Sequence, residues 1–89
     1  MEGGGRFWGN LMPTIKDISG AYRFFFYSFD CNEAEHVHVQ REKFICKFWL
    51  NPVALSKNYG FPPKELRDIF KMVRSNLNRI EEAWNEHCS

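Results

Sequence analysis

The sequence predicts an α+β domain in which a small, largely antiparallel sheet of three to four strands carries one long C-terminal helix on one face. Three observations predict it. Residues 36–50 alternate with a period of two, an apolar run precedes them, and the spacing of apolar residues changes to three and four after Pro63.

Taken in order, residues 1–11 are glycine-rich and aperiodic, so they are expected to form a flexible leader, with the domain running over 12–89. Tyr22-Arg23-Phe24-Phe25-Phe26-Tyr27-Ser28-Phe29 predicts the first strand, opened by the turn signal Ser19-Gly20. Because it is apolar on both faces, it reads as a central strand that must be covered twice. Residues 30–35 form a polar connection with three carboxylates. The next two strands, 36–40 and 43–50, read as a hairpin with Arg41-Glu42 at its tip, which sets Val39 opposite Phe44, Val37 opposite Cys46, His38 opposite Ile45 and His36 opposite Lys47. Val37, Val39, Phe44, Cys46, Phe48 and Leu50 then face the core, and His36, His38, Ile45, Lys47 and Trp49 share the other side. Val53-Ala54-Leu55 reads as a short fourth strand or an irregular segment, closed by Asn58-Tyr59-Gly60.

From Pro63 to about residue 87, Leu66, Ile69, Phe70, Val73, Leu77, Ile80 and Trp84 recur at helical steps. Such a helix spans about 37 Å at 1.5 Å per residue, longer than the strands beneath it. Its overhanging stripe of Leu77, Ile80 and Trp84 is therefore expected to be exposed and to form a partner interface. Glu81, Glu82 and Glu86 oppose the helix dipole, so the last turns need something to hold them.

Composition narrows the function classes. The chain has 89 residues, 44% of them hydrophobic and 17% aromatic, which suits one small core. Twelve basic residues against 11 acidic ones leave no excess for binding nucleic acid by phosphate neutralisation alone, so any such contact must be local. Cys31, Cys46 and Cys88 form an odd, widely spaced set without a CxxC pair, which indicates neither a disulfide framework nor a zinc knuckle and fits a reducing cytoplasm. No window suits a signal peptide or membrane span. No GxSxG or glycine-rich phosphate loop is present.

The sharpest chemical constellation is His36 and His38 with the carboxylates Asp30, Glu33 and Glu35. Alternate residues of one strand bring two imidazoles to the same face about 7 Å apart at the backbone, and a His, His, carboxylate set suits either a divalent ion or acid-base work. His36, His38 and Glu33 are the catalytic candidates. A polar strand face bonded to backbone and water is the commoner outcome of an H-x-H strand, and Lys47 opposite His36 would repel a cation, so no metal or cofactor is expected. Lys47, Trp49, Arg23 and Tyr27 interleave cations and aromatic rings as a binding surface for single strands does.

Met12-Pro13-Thr14-Ile15, Phe25-Phe26-Tyr27-Ser28, Glu33 with His36-Val37-His38-Val39, Lys47-Phe48-Trp49-Leu50 with Pro52-Val53, Gly60-Phe61, Glu65-Leu66 and Trp84-Asn85-Glu86 stand in an order that resembles the domain of unknown function 4160 family of small bacterial proteins. The resemblance runs from Met12 onward. Glu33-Ala34-Glu35-His36 stands where the family has Glu-Pro-Pro-His, and Pro62 where a serine-like helix cap is common. What the resemblance implies is a small partner protein encoded nearby, in an arrangement similar to a toxin and antitoxin pair, without a settled activity. The expectation is thus a cytoplasmic protein-interaction module, possible as a homodimer, with a His-based or metal-dependent nuclease or hydrolase as the alternative.

Overall fold

The computed structural model describes residues 14, 15, 18 and 20–89. The expected leader and the domain start at Met12 lie outside them. Four strands, β1 (Arg23–Phe25), β2 (His36–Arg41), β3 (Phe44–Leu50) and β4 (Val53–Tyr59), form an antiparallel meander in sequence order, followed by helices α1 (Pro63–Ser75) and α2 (Leu77–Cys88). The α+β class and antiparallel sheet are as expected; the single long helix is not.

The break falls at Asn76. Its backbone N–H and its side-chain amide both donate to the Met72 carbonyl, at 3.0 and 2.8 Å, while its own carbonyl accepts from Ile80 N–H at 2.9 Å. An amide side chain that competes for a backbone carbonyl ends one helix, and the next starts from the same residue. The apolar spacing runs through the break unchanged, so periodicity alone could not find it.

The first strand is also shorter than the eight apolar residues suggested. Only Arg23–Phe25 joins the ladder, against Gln40, Val39 and His38. β1 pairs with β2 alone among the named strands, although Thr14 bridges to Phe25 and Ile15 N–H donates to Phe24 O at 2.8 Å. Both faces of β1 are nonetheless buried. Phe24 and Phe26 enter the main core, whereas Phe25 turns the other way, under the Arg23 guanidinium and stacked on the His38 ring.

In the hairpin the turn is Glu42-Lys43, with Arg41 opposite Phe44 and Glu42 at φ 55°, the left-handed conformation a tight hairpin turn demands. The pairing is therefore corrected by two residues: Val39 faces Cys46, Val37 faces Phe48, His38 faces Lys47 and His36 faces Trp49. A two-residue shift preserves the faces, because side chains alternate with period two. Val37, Val39, Cys46, Phe48 and Leu50 pack as expected with Ile69, Val73, Ile80 and Trp84 from the helices. Burial pushes the Cys46 thiol up to about 12, so it serves as a small apolar side chain. In β4, Ser56 is an extra residue between Leu55, paired with Phe48, and Lys57, paired with Lys47, a bulge that bends the edge strand. Gly60, at φ 108°, has the Phe44 ring where a methyl group would stand.

A polar cluster ties the sheet to α1. Arg41 grips Glu65 through Nε to Oε2 at 2.6 Å and Nη2 to Oε1 at 2.9 Å, and Tyr22 Oη donates to Oε2 at 2.6 Å. These bonds, Arg41 first, hold the Glu65 carboxyl below the ordinary glutamate value. Stability contributed by a carboxylate with a depressed pKa is present above its unfolded value and is lost as pH falls through the folded one. Glu65→Gln should therefore lower stability at neutral pH, and its deficit against the natural protein should shrink in acid. Urea denaturation across that range reads the gap directly; a gap independent of pH would contradict this account.

Candidate functional site

Where the chain leaves β1, Phe26 to Phe29 lead into a single 3₁₀ turn, Asp30–Asn32. Asp30 N–H donates to Tyr27 O at 3.1 Å, Glu33 N–H donates to Asp30 O at 3.0 Å, and Tyr27 N–H donates to Asp30 Oδ2 at 2.7 Å. These bonds carry the Asp30 side chain under the sheet face from which His36 and His38 project. Asp30 is 2% exposed, His36 0% and His38 9%, so the expectation of an accessible imidazole face is corrected. The covered face results from the chain between β1 and β2 folding back over it.

The three side chains converge. His36 Nε2 lies 3.1 Å from Asp30 Oδ1 and His38 Nε2 lies 3.1 Å from Asp30 Oδ2. The ligand atoms of Asp30, His36 and His38 all lie within 4.8 Å of one another. His38 is hydrogen-bonded to the carboxylate, but His36 Nε2 makes no hydrogen bond at all. Its other nitrogen is committed, since Nδ1–H donates to Ala34 O at 2.8 Å. With Nδ1–H committed to Ala34 O, Nε2 is the nitrogen left facing the carboxylate.

Aromatic rings fix both imidazoles. His36 packs against Trp84 (5.2 Å between centroids), Trp49 (5.7 Å) and His38 (5.1 Å). His38 stacks on Phe25 and meets Tyr27 edge-on at 4.7 Å. Burial pushes the His38 pKa below the ordinary histidine value, with Asp30 pulling in the opposite direction.

Beside this cluster a cavity of about 270 Å³ opens to the surface, bordered by Asp30 and His38 inside and by Tyr27, Phe29, Glu33, Lys47, Lys57 and Tyr59. Phe29 and Tyr59 are 64% and 61% exposed.

The sequence candidates are distributed as follows. His36 and His38 come together, but Glu33 stays outside the cluster, its Oε1 accepting from Lys47 Nζ at 2.6 Å; Asp30 takes the place assigned to it. Glu35 is also turned away, its carboxyl pushed up by burial and by the neighbouring Glu81. Lys47 faces His38, not His36, and is neutralised by Glu33. Of the four residues grouped as a binding surface, Tyr27 and Lys47 border the cavity. Trp49 borders a separate depression with Ala34, Glu35 and Pro52, while Arg23 bonds Thr14 Oγ1 at 2.8 Å. The expected exposed stripe is corrected as well: Ile80 and Trp84 are buried in the core and Leu77 packs against it.

Reasoning from sequence missed Phe29, Lys57 and Tyr59 at the cavity, and a Cys31–Cys88 disulfide. That bond joins the turn carrying Asp30 to the end of α2, where His87 Nε2–H also donates to Tyr27 O at 2.9 Å. The helix end that its own charges oppose is thereby held. The cysteine spacing is left without force as an argument for a reducing compartment. Among the described residues, no helix is long and apolar enough to cross a membrane.

Fold and site together define a small α+β protein with a buried aspartate-histidine-histidine cluster at the inner end of a surface cavity. Residues 21–85 match the family model described as Domain of unknown function (DUF4160), and the chain belongs to that family. No curated protein and no solved structure matches it significantly.

Proposed function

We propose that this chain is a divalent-metal-dependent hydrolase whose ion is held by Asp30, His36 and His38. One observation carries the reading: the buried His36 Nε2 makes no hydrogen bond although it lies 3.1 Å from Asp30 Oδ1, while its ring is oriented by the bond from Nδ1–H to Ala34 O. A ligating histidine is commonly oriented in this way, by donating its second nitrogen to a backbone carbonyl. An unpaired buried acceptor beside an anion is costly unless something positive lies between them. Each ring reaches its own oxygen of Asp30 at 3.1 Å, His36 to Oδ1 and His38 to Oδ2, so the carboxylate and both imidazoles present their ligand atoms to one small space, as a shared ion requires.

Three protein ligands are the number found where a fourth position is kept for water or substrate. An ion there supplies charge stabilisation at the attacked ester and a water acidic enough to attack near neutral pH. Metal-free general-base catalysis by His36 is less well supported, because that role needs one nitrogen facing the substrate and both of its nitrogens face inward. The cation repulsion expected from Lys47 is relieved by its pairing with Glu33. In a toxin and antitoxin-like pair, the role implied by the family resemblance, the hydrolytic member would be the one its partner restrains.

The test is hydrolysis of a chromogenic phosphodiester with zinc, manganese or magnesium. Activity should disappear on chelation, return with the ion, and fall to background in His36→Ala and His38→Ala variants that keep their circular dichroism. Turnover that survives both chelation and substitution, or none with any ion, would overturn the proposal.

A further inference from the structure

The cavity beside the cluster combines features that a hydrolytic centre for small neutral esters does not need. Phe29 and Tyr59 are two of the largest exposed apolar side chains among the described residues, and both border this one cavity. Large apolar groups left in water at the mouth of a polar site mark a binding surface. Phe29 is not adrift: its ring lies parallel to Tyr27, 2° between planes and 5.4 Å between centroids, and Tyr27 in turn abuts His38. An aromatic ladder therefore leads from solvent to the buried imidazoles. Lys57, on the edge strand, adds a cation along the same wall, where Lys47 is paired with Glu33.

Resting on the metal reading for where the phosphate sits, we infer that the cavity binds a single-stranded nucleic acid, with a phosphate at the cluster and Lys57 and bases stacked on Phe29 and Tyr59. Exposed rings next to cations suit unpaired bases, whose π faces are open, whereas a duplex hides those faces in its own stack. A cavity of about 270 Å³ offers room for a nucleotide unit and not for a double helix. The near-neutral total charge fits a local contact of this kind, in which stacking contributes more than phosphate neutralisation.

Fluorescence anisotropy with a labelled oligouridine decamer, its deoxy counterpart and a duplex of the same length tests this, with one equivalent of zinc present so that the phosphate's ion is in place and with strand integrity checked on a gel. The single strands should bind at least tenfold more tightly than the duplex. Phe29→Ala and Tyr59→Ala should each weaken binding about tenfold, while Leu55→Ala, exposed elsewhere on β4, should change nothing; the two single strands compared show whether the ribose hydroxyl is read. Absence of saturable binding, equal binding of the duplex, or aromatic variants that bind like the natural chain would overturn the inference. Zinc titration of the chain alone, in buffer free of chelator, separates the two readings: ion binding without oligonucleotide binding defeats this inference alone, and oligonucleotide binding without ion binding defeats the metal reading alone.

Discussion

Asp30→Asn should lower the affinity for zinc by at least about a hundredfold while leaving the chain folded. The substitution keeps size and shape, and the amide oxygen can still accept from Tyr27 N–H, the bond that fixes the turn at 2.7 Å. What it removes is the charge that faces both imidazoles, and loss even of an outer partner of a metal ligand typically costs 10–100-fold. Competition with a chromogenic zinc chelator measures the change. If Asp30 were only a structural acceptor for the turn and His38, affinity would stay the same. If the ion were instead taken by Cys31, Cys88 and His87, a cluster whose ligand atoms also converge, the substitution would likewise have no effect and reduction of the disulfide would be required.

The second large effect is expected at Trp84. Its ring is 6% exposed, meets Phe26 edge-on at 5.4 Å and lies 5.2 Å from the His36 ring. Trp84→Ala should cost about 3–5 kcal/mol, the range for emptying a large aromatic from a packed core, and Trp84→Phe should restore much of it. Because the same ring props His36, zinc binding by the fraction that remains folded should weaken by about tenfold, as for loss of an orienting contact. Urea denaturation gives the first quantity and zinc competition the second. A loss under about 1 kcal/mol would show that the residue lies at the surface, as an overhanging helix had suggested.

That contrast shows what the letters could and could not convey. The period-two pattern placed Val37, Val39, Cys46, Phe48 and Leu50 in the core correctly even though the pairing was off by two residues, because parity survives an even shift. It could not reveal that the histidine face is covered too, since that depends on the path of residues 26–35, a stretch with no periodicity. The same blindness explains the choice of carboxylate. Glu33 lies nearer to His36 in sequence, but a 3₁₀ turn and a bond to Tyr27 N–H bring Asp30 inward, and Lys47 draws Glu33 outward. A carboxylate directly after an aromatic run was the signal that favoured Asp30. The continuous apolar spacing that identified the helical region also concealed its break, and Ser75-Asn76, two poor helix formers in succession, was the local sign. For Cys31 and Cys88, separated by 57 residues, only the tertiary fold determines the pairing. Family membership carries the chain as a whole but assigns none of these roles.

The most direct measurement is of the imidazole nitrogens themselves. The chain has three histidines, so nitrogen-15 NMR with labelled histidine resolves each ring during a zinc titration. Nε2 of both His36 and His38 should move at one equivalent of zinc, with Nδ1 of His36 still protonated and His87 unmoved. Unchanged Nε2 signals, or a response confined to His87, would contradict the metal reading.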